Sequence, residues 1–393
     1  MTSSDSSLDP PAAAAIPATA SRGFVDWLTS QNVALAFTTY QTGKLFLIGH
    51  NEHGRLSVYE RNFERAMGLC GNDQTLYMAS LYQLWRIENA LQPGETVEGY
   101  DRYYVPQVGH TTGDLNIHDI ALAPAPGSAP GSASAAGNSG TPGSSDASGG
   151  GKVHFISARF SCLATLSERY HFNPVWMPKF ITKLAGEDRC HLNGLAMVDG
   201  KPRYTTACAQ TDVVDGWREH RREGGVVIDI ESDEVIATDL SMPHSPRWYR
   251  DKLWLLDSGN GQFGYLDPAT GRFERVTFCP GFARGLSFVG DYAVVGLSLS
   301  RHDPTFQGLA LEDELKAASV SPRCGLLIID LNSGDVVEWL RLDEPVRELY
   351  DVLALPSVKR PRLVGFKTDE IRTRVWADPA GLARIAGKTP STA

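Results

Sequence analysis

The chain has no paired cysteines: its six, at 70, 162, 190, 208, 279 and 324, form neither a C-x-x-C motif nor a tight cluster. That excludes a zinc knuckle and a small disulfide framework, and leaves reduced, buried thiols. Basic charge is also short, since 37 Lys and Arg stand against 46 Asp and Glu for a formal net charge of −9. A nucleic-acid or anionic-membrane partner would need the opposite field, so neither is expected. No uncharged apolar run approaches the ~20 residues of a membrane span. The first 22 residues, rich in Ser, Ala and Pro, lack the cationic start and apolar stretch of a secretory signal. A soluble, cytoplasmic protein is the expectation.

Sustained helical periodicity is missing too. It appears only near Gly23–Leu28 and Leu309–Ala318, which excludes a parallel sheet built from alternating strands and long helices. What is present is turn chemistry and short β-rich runs. The chain has 38 Gly and 23 Pro, and runs such as Leu76–Ala79, Arg203–Thr206, Gly225–Ile230, Lys252–Leu256, Tyr292–Val295 and Gly325–Asp330 are each bounded by Gly, Asp, Asn or Pro. Residues 1–22 read as a disordered tail and 376–393 as a C-terminal tail. The stretch Pro124–Gly151, made only of Pro, Ala, Gly, Ser, Asn, Thr and Asp, reads as a disordered insertion within one domain spanning 23–375, because it has too little apolar surface to offset its ordering entropy.

A degenerate motif, His-x-x-Gly-Leu followed by a β-run, recurs six times and fixes the architecture. Its copies begin at Arg65, His118, His191, His244, Phe282 and Glu348, with spacings of 53, 73, 53, 38 and 66 residues. Removing the 28 residues Pro124–Gly151 turns 73 into 45, within range of the ~40–50 residues of a four-stranded propeller blade. Hairpins of the Asp-x-x-x-Gly kind, at Asp267–Gly271 and Asp330–Gly334, recur after later strands. Residues 32–60 precede the first copy and supply strands that the sixth copy has no room for. The fold class read here is therefore all-β: a six-bladed β-propeller closed by N- and C-terminal strands sharing one blade, which removes the open sheet edge.

In a propeller the innermost strands line a central channel, so the first motif position faces the axis. His118, His191 and His244 then converge from three neighbouring blades, with Glu348 nearly opposite. Three imidazoles on a rigid scaffold suit a divalent transition metal such as Zn, Fe, Cu or Mn, with an open side for water or substrate. The bland reading is three strand-end histidines satisfying carbonyls. Glu348 is the candidate fourth ligand or general base, and Asp351 a candidate acid, base or orienting partner. Arg284 and Arg65 are candidates to hold an anionic substrate, with Asn193 and Asp119 beside it, although Asp119 and Asp351 can equally serve loop backbone. Cys190 reads as buried structure, and Tyr204, Trp217, Trp248 and Trp254 as packing or pocket walls. Asp257–Gly261 is a turn and not a phosphate loop, and Ser161 and Ser245 lack a nucleophile elbow.

The runs Asp188–Ala196, Leu240–Trp248, Pro280–Leu286 and Glu348–Val352 resemble those of an uncharacterised bacterial conserved-hypothetical family, over about residues 22–370. That resemblance implies no activity. A looser likeness, at the level of fold and three-histidine placement, is to metal-dependent six-bladed enzymes of the gluconolactonase and peptidyl-hydroxyglycine lyase types. The function expected is a metal-dependent hydrolase or lyase acting on a small molecule in the channel. The alternative is a non-catalytic propeller binding a small molecule or protein without metal.

Overall fold

The structure, a computed structural model, describes residues 18–124, 151–299 and 307–385. The low-complexity stretch 125–150 and the extreme termini, 1–17 and 386–393, lie outside the described residues. Six antiparallel sheets form a ring, each following one motif copy. From inside outward, the first blade comprises Leu69–Gly71, Thr75–Ala79, Gln83–Asn89 and Arg102–Thr111; the second, Ile117–Ala123, Lys152–Ser157, Cys162–Thr165 and Asn173–Trp176. The third comprises Leu192–Val198, Lys201–Ala207, Gly225–Asp229 and Glu234–Leu240; the fourth, Pro243–Tyr249, Lys252–Asp257, Gln262–Leu266 and Phe273–Phe278. The fifth comprises Phe282–Val289, Tyr292–Ser298, Gly325–Asp330 and Val336–Leu342.

The sixth blade joins the two ends of the chain. Its innermost strand, Val352–Pro356, comes from the last motif copy, and its outer three, Val33–Thr39, Lys44–His50 and Leu56–Asn62, from the N-terminal region. Val33 pairs with Pro356 and Phe37 with Val352, closing the ring by backbone hydrogen bonds. Closure goes further than the sequence indicates. Ala18–Ala20, within the stretch read as a tail, pairs with Leu340–Leu342 on the outer edge of the fifth blade. Pro361–Leu363 lies parallel to Arg102–Tyr104 on the edge of the first. Past 375, Trp376 packs on Tyr103 at 4.7 Å and a short helix spans Pro379–Ile385. These pieces cover edge strands whose unpaired backbone groups would otherwise invite association.

The two stretches with helical periodicity are helices, Phe24–Ser30 and Ala310–Ala317. Phe24, Trp27 and Leu28 of the first share one face and are buried against the fifth and sixth blades. The Asp-x-x-x-Gly hairpins join the third and fourth strands of their blades; the amides of Gly271 and Gly334, both at positive φ (68° and 79°), donate to the carbonyls of Asp267 and Asp330 at 2.8 Å. The hydrophobic core is divided into layers between neighbouring blades. Phe37 and Phe46, stacked at 4.8 Å, meet Leu326 and Ile328 across one gap; Trp254 and Phe263, at 5.1 Å, meet Leu286 and Phe288 across another. With apolar layers outside it, the axis is free to carry polar groups.

Candidate functional site

Each innermost strand of the second to fifth blades carries one residue too many at the motif. Pairing shifts between Ile117 and Asp119, between Leu192 and Gly194, between His244 and Arg247 and between Ala283 and Leu286. A bulge interrupts the strict alternation of faces and re-aims side chains, and bulges gather beside functional sites. Here they let several motif positions reach the axis. His191 and Ser245 hold positive φ, 50° and 52°, a sparsely populated conformation for residues other than glycine.

The result at the axis is a cluster of His118, His191 and His244, whose ligand-capable atoms all lie within 4.8 Å of one another. The His118 ring meets His191 nearly edge-on at 4.8 Å and His244 at 5.8 Å. All three are buried. Burial, the largest cause, and the cationic and imidazole neighbours hold His118 and His244 well below the usual histidine range, so both are neutral and keep a lone pair. The outer ring nitrogens of two of them are fixed. His191 Nδ1 is 2.9 Å from Asp188, whose carboxylate also accepts from Trp217 Nε1 at 3.2 Å, and the Trp217 ring stacks on His191 at 4.2 Å. His244 Nδ1 donates to the Met242 carbonyl at 2.8 Å. Both arrangements turn Nδ1 to an outer acceptor and Nε2 inward, as in metal-binding histidines oriented by a carboxylate or carbonyl. Nitrogens held tetrahedrally by one ion at 2.0–2.1 Å lie roughly 3.4 Å apart, a contraction that modest ring rotations supply.

A second polar cluster fills the axis beside the first. Arg247 makes a two-pronged ion pair with Asp119, at 2.6 and 3.2 Å, and reaches Asp351 at 3.5 Å. Its remaining hydrogens go to the carbonyls of Leu286, Leu195 and Pro246. Asp119 accepts from the amides of Ile120 and Leu195, and Asp351 from those of Leu69 and Val352. The cluster thus ties together all six innermost strands. Burial pushes both carboxyls up while Arg247 opposes it.

With this geometry in hand, known proteins offer one family. The family described as Domain of unknown function (DUF4915) matches residues 22–364. The chain belongs to that family. No curated protein matches. Solved structures similar to this DUF4915 chain include the nidogen/laminin complex, at 12% identity and TM-score 0.49 over 83% of this chain and 99% of that one. A protein of unknown function from Bacteroides caccae is similar at 11% and 0.47, over 82% and 98%. A putative TolB from Agrobacterium tumefaciens is similar at 14% and 0.38, over 84% and 93%.

The ring of this DUF4915 member gathers some expected residues and separates others. A cavity of about 10 Å³ is lined by His118, Asp119, Asn193, His244, Ser245, Arg284, Tyr350 and Asp351, room for one water-sized group. Asn193 donates to the His191 carbonyl and to the Cys208 sulfur and accepts from Thr206, so it braces the histidine and has little left for substrate. Asp119 and Asp351, expected at substrate and as acid or base, have every oxygen engaged by amides or Arg247 and act as braces. Glu348, expected as fourth ligand or base, is buried but stands outside the grouped donors and the cavity lining. Arg65, expected at substrate, bonds Tyr40 at 2.8 Å and Asp114 at 3.4 Å, partly exposed. From there Arg65 still acts electrostatically on His118 and Tyr350. His118 and His244 lie inside their strands and His191 borders its own, whereas regular strand begins four residues after Glu348, at Val352.

Cys190 is a buried thiol pushed up to about 12 by burial and stands outside the grouped donors. Among the aromatic candidates Trp217 reaches the site, while Tyr204 packs on Trp248 at 6.0 Å between blades. Missed altogether were Asp188, Tyr350 and Arg247. Arg247 had a signal: the fourth motif position is Gly68, Ala121, Gly194 and Gly285 in four copies but Arg247 and Asp351 in two. No helix among the described residues is long and apolar enough to cross a membrane.

Proposed function

We propose that His118, His191 and His244 hold one divalent transition metal, Zn, Fe, Cu or Mn, and that the protein is a hydrolase or lyase for a small molecule bound at the channel. The observation that carries the reading is the convergence of three buried imidazoles, with fixed outer nitrogens on His191 and His244. A metal there supplies Lewis acidity, lowering the pKa of a bound water or polarising a carbonyl. The chain's own residues do the rest: Asp188 and the Met242 carbonyl orient the rings, Trp217 and the buried walls exclude bulk water, and the small cavity limits what enters. Six unpaired buried cysteines fit a cytoplasmic setting.

One contact favours a second reading. Arg284 Nη2 lies 3.4 Å from His244 Nε2, the atom that would face the metal, as it would in a non-catalytic propeller that binds a ligand without metal. Elemental analysis of untagged protein separates the two. The metal reading expects about one Zn, Fe, Cu or Mn per chain, and its loss in His191→Ala. It is overturned if no metal co-purifies and none added raises the melting temperature of the wild type above that of His191→Ala.

A further inference from the structure

We infer that Arg284 and Tyr350 form a seat for the carboxylate of a small organic acid, placed beside the three histidines. The inference deepens the metal reading and rests on it only for the claim that the acid sits next to a metal. Arg284 comes from the third position of the fifth motif copy, at the bulge between Ala283 and Leu286. It is only 8% exposed, and no carboxylate pairs with it among the described residues. A buried guanidinium without a counter-ion is costly. The ring of Tyr350, 4.5 Å from the guanidinium carbon, offsets part of that cost through its π face. It does not satisfy the donors.

The unsatisfied donors lie on one edge. Arg284 Nε has no hydrogen-bond partner, and Nη2, its neighbour on the same fork, has only the long contact to His244 Nε2. A carboxylate accepts two parallel bonds from such a fork. The Tyr350 hydroxyl is likewise buried without a partner, and burial raises it so that it stays a donor. Arg284, Tyr350, His118 and His244 all line the same cavity. Two unused donors and the loosely engaged Nη2 therefore share one small space with the imidazoles. A cavity of about 10 Å³ admits one oxygen of a flat carboxylate and not a tetrahedral phosphate, with the remainder of the acid running out along the channel. A carboxylate there also screens Arg284 from a dication on the histidines, which removes the electrostatic conflict between the two.

Thermal unfolding and calorimetry of the full chain test this, with acetate, glycolate, methyl glycolate and inorganic phosphate as probes, in the presence and absence of zinc. Wild type is expected to bind acetate and glycolate and to gain thermal stability from them, but not from the neutral ester. Arg284→Met is expected to lose that response and, carrying no unpaired buried cation, to melt at or above the wild-type temperature without ligand. Tyr350→Phe should weaken glycolate binding about fivefold to tenfold, the worth of one hydrogen bond. The inference is overturned if wild type ignores the carboxylates, if it binds only phosphate, if Arg284→Met binds them equally, or if Arg284→Met melts well below wild type, as a structural arginine would. Carboxylate binding with no binding of zinc or of Fe, Cu or Mn would overturn the metal reading and leave the seat standing.

Discussion

Two buried arginines lie near the axis, Arg247 at 2% exposure and Arg284 at 8%, and their surroundings differ in kind. Arg247 faces two carboxylates and three carbonyls, and every donor in its cluster has an acceptor. Arg284 faces an imidazole nitrogen and an aromatic ring and keeps an unmatched fork. Both come from the same repeat, one position apart, in adjacent blades. A saturated buried cluster holds a structure together, because breaking it strands a charge; an unsaturated one is a cost the fold carries unless a ligand completes it. By that criterion the Arg247–Asp119–Asp351 cluster is the pin of the ring. The histidines with Arg284 are the candidate site.

The largest expected effect breaks the pin. Arg247→Met leaves Asp119 and Asp351 buried without a cation and should cost about 3–5 kcal/mol in urea unfolding; an unchanged midpoint would erase the distinction between the two arginines. A smaller effect comes from a third buried carboxylate, Asp257. It accepts from the Ser241 amide at 2.7 Å and Asn260 at 2.6 Å but has no ion pair among the described residues, and burial pushes it up to about 6. Its folded value exceeds the ordinary ~3.9, so its contribution to stability is full below about pH 4 and is lost as pH rises through 6, by up to about 3 kcal/mol. Wild type should therefore lose stability relative to Asp257→Asn between pH 4 and 7, and parallel pH profiles would contradict this. The smallest effect sharpens the site. Asp188→Asn should weaken zinc binding about 10–100-fold, through loss of the orienting carboxylate on His191, with little change in urea midpoint. A chelator competition titration reads the first and rules the idea out if affinity is unchanged.

The ring was legible in the sequence because a repeat is a statement about architecture. Six motif copies specify six blades, and strand-like sequence before the first copy specifies how the ring closes. Histidines at one motif position in three successive copies were legible as a convergent set for the same reason. The edge strands at Ala18–Ala20 and Pro361–Leu363 were not, since three residues of little periodicity carry no signal and their pairing is set by distant partners. Nor was the division of labour among the polar residues. Periodicity assigns a residue to a face, but the bulges that shift the register at the motif are tertiary events. They brought Arg247 and Asp351 onto the axis as partners, left Glu348 outside the grouped histidine donors, and put Asp188 behind His191 through a loop contact three residues away. By itself, then, the sequence determined the blade count, the closure and the three histidines. Only the tertiary structure decided which charges are matched, because matching depends on angstrom-scale distances between strands far apart in the chain.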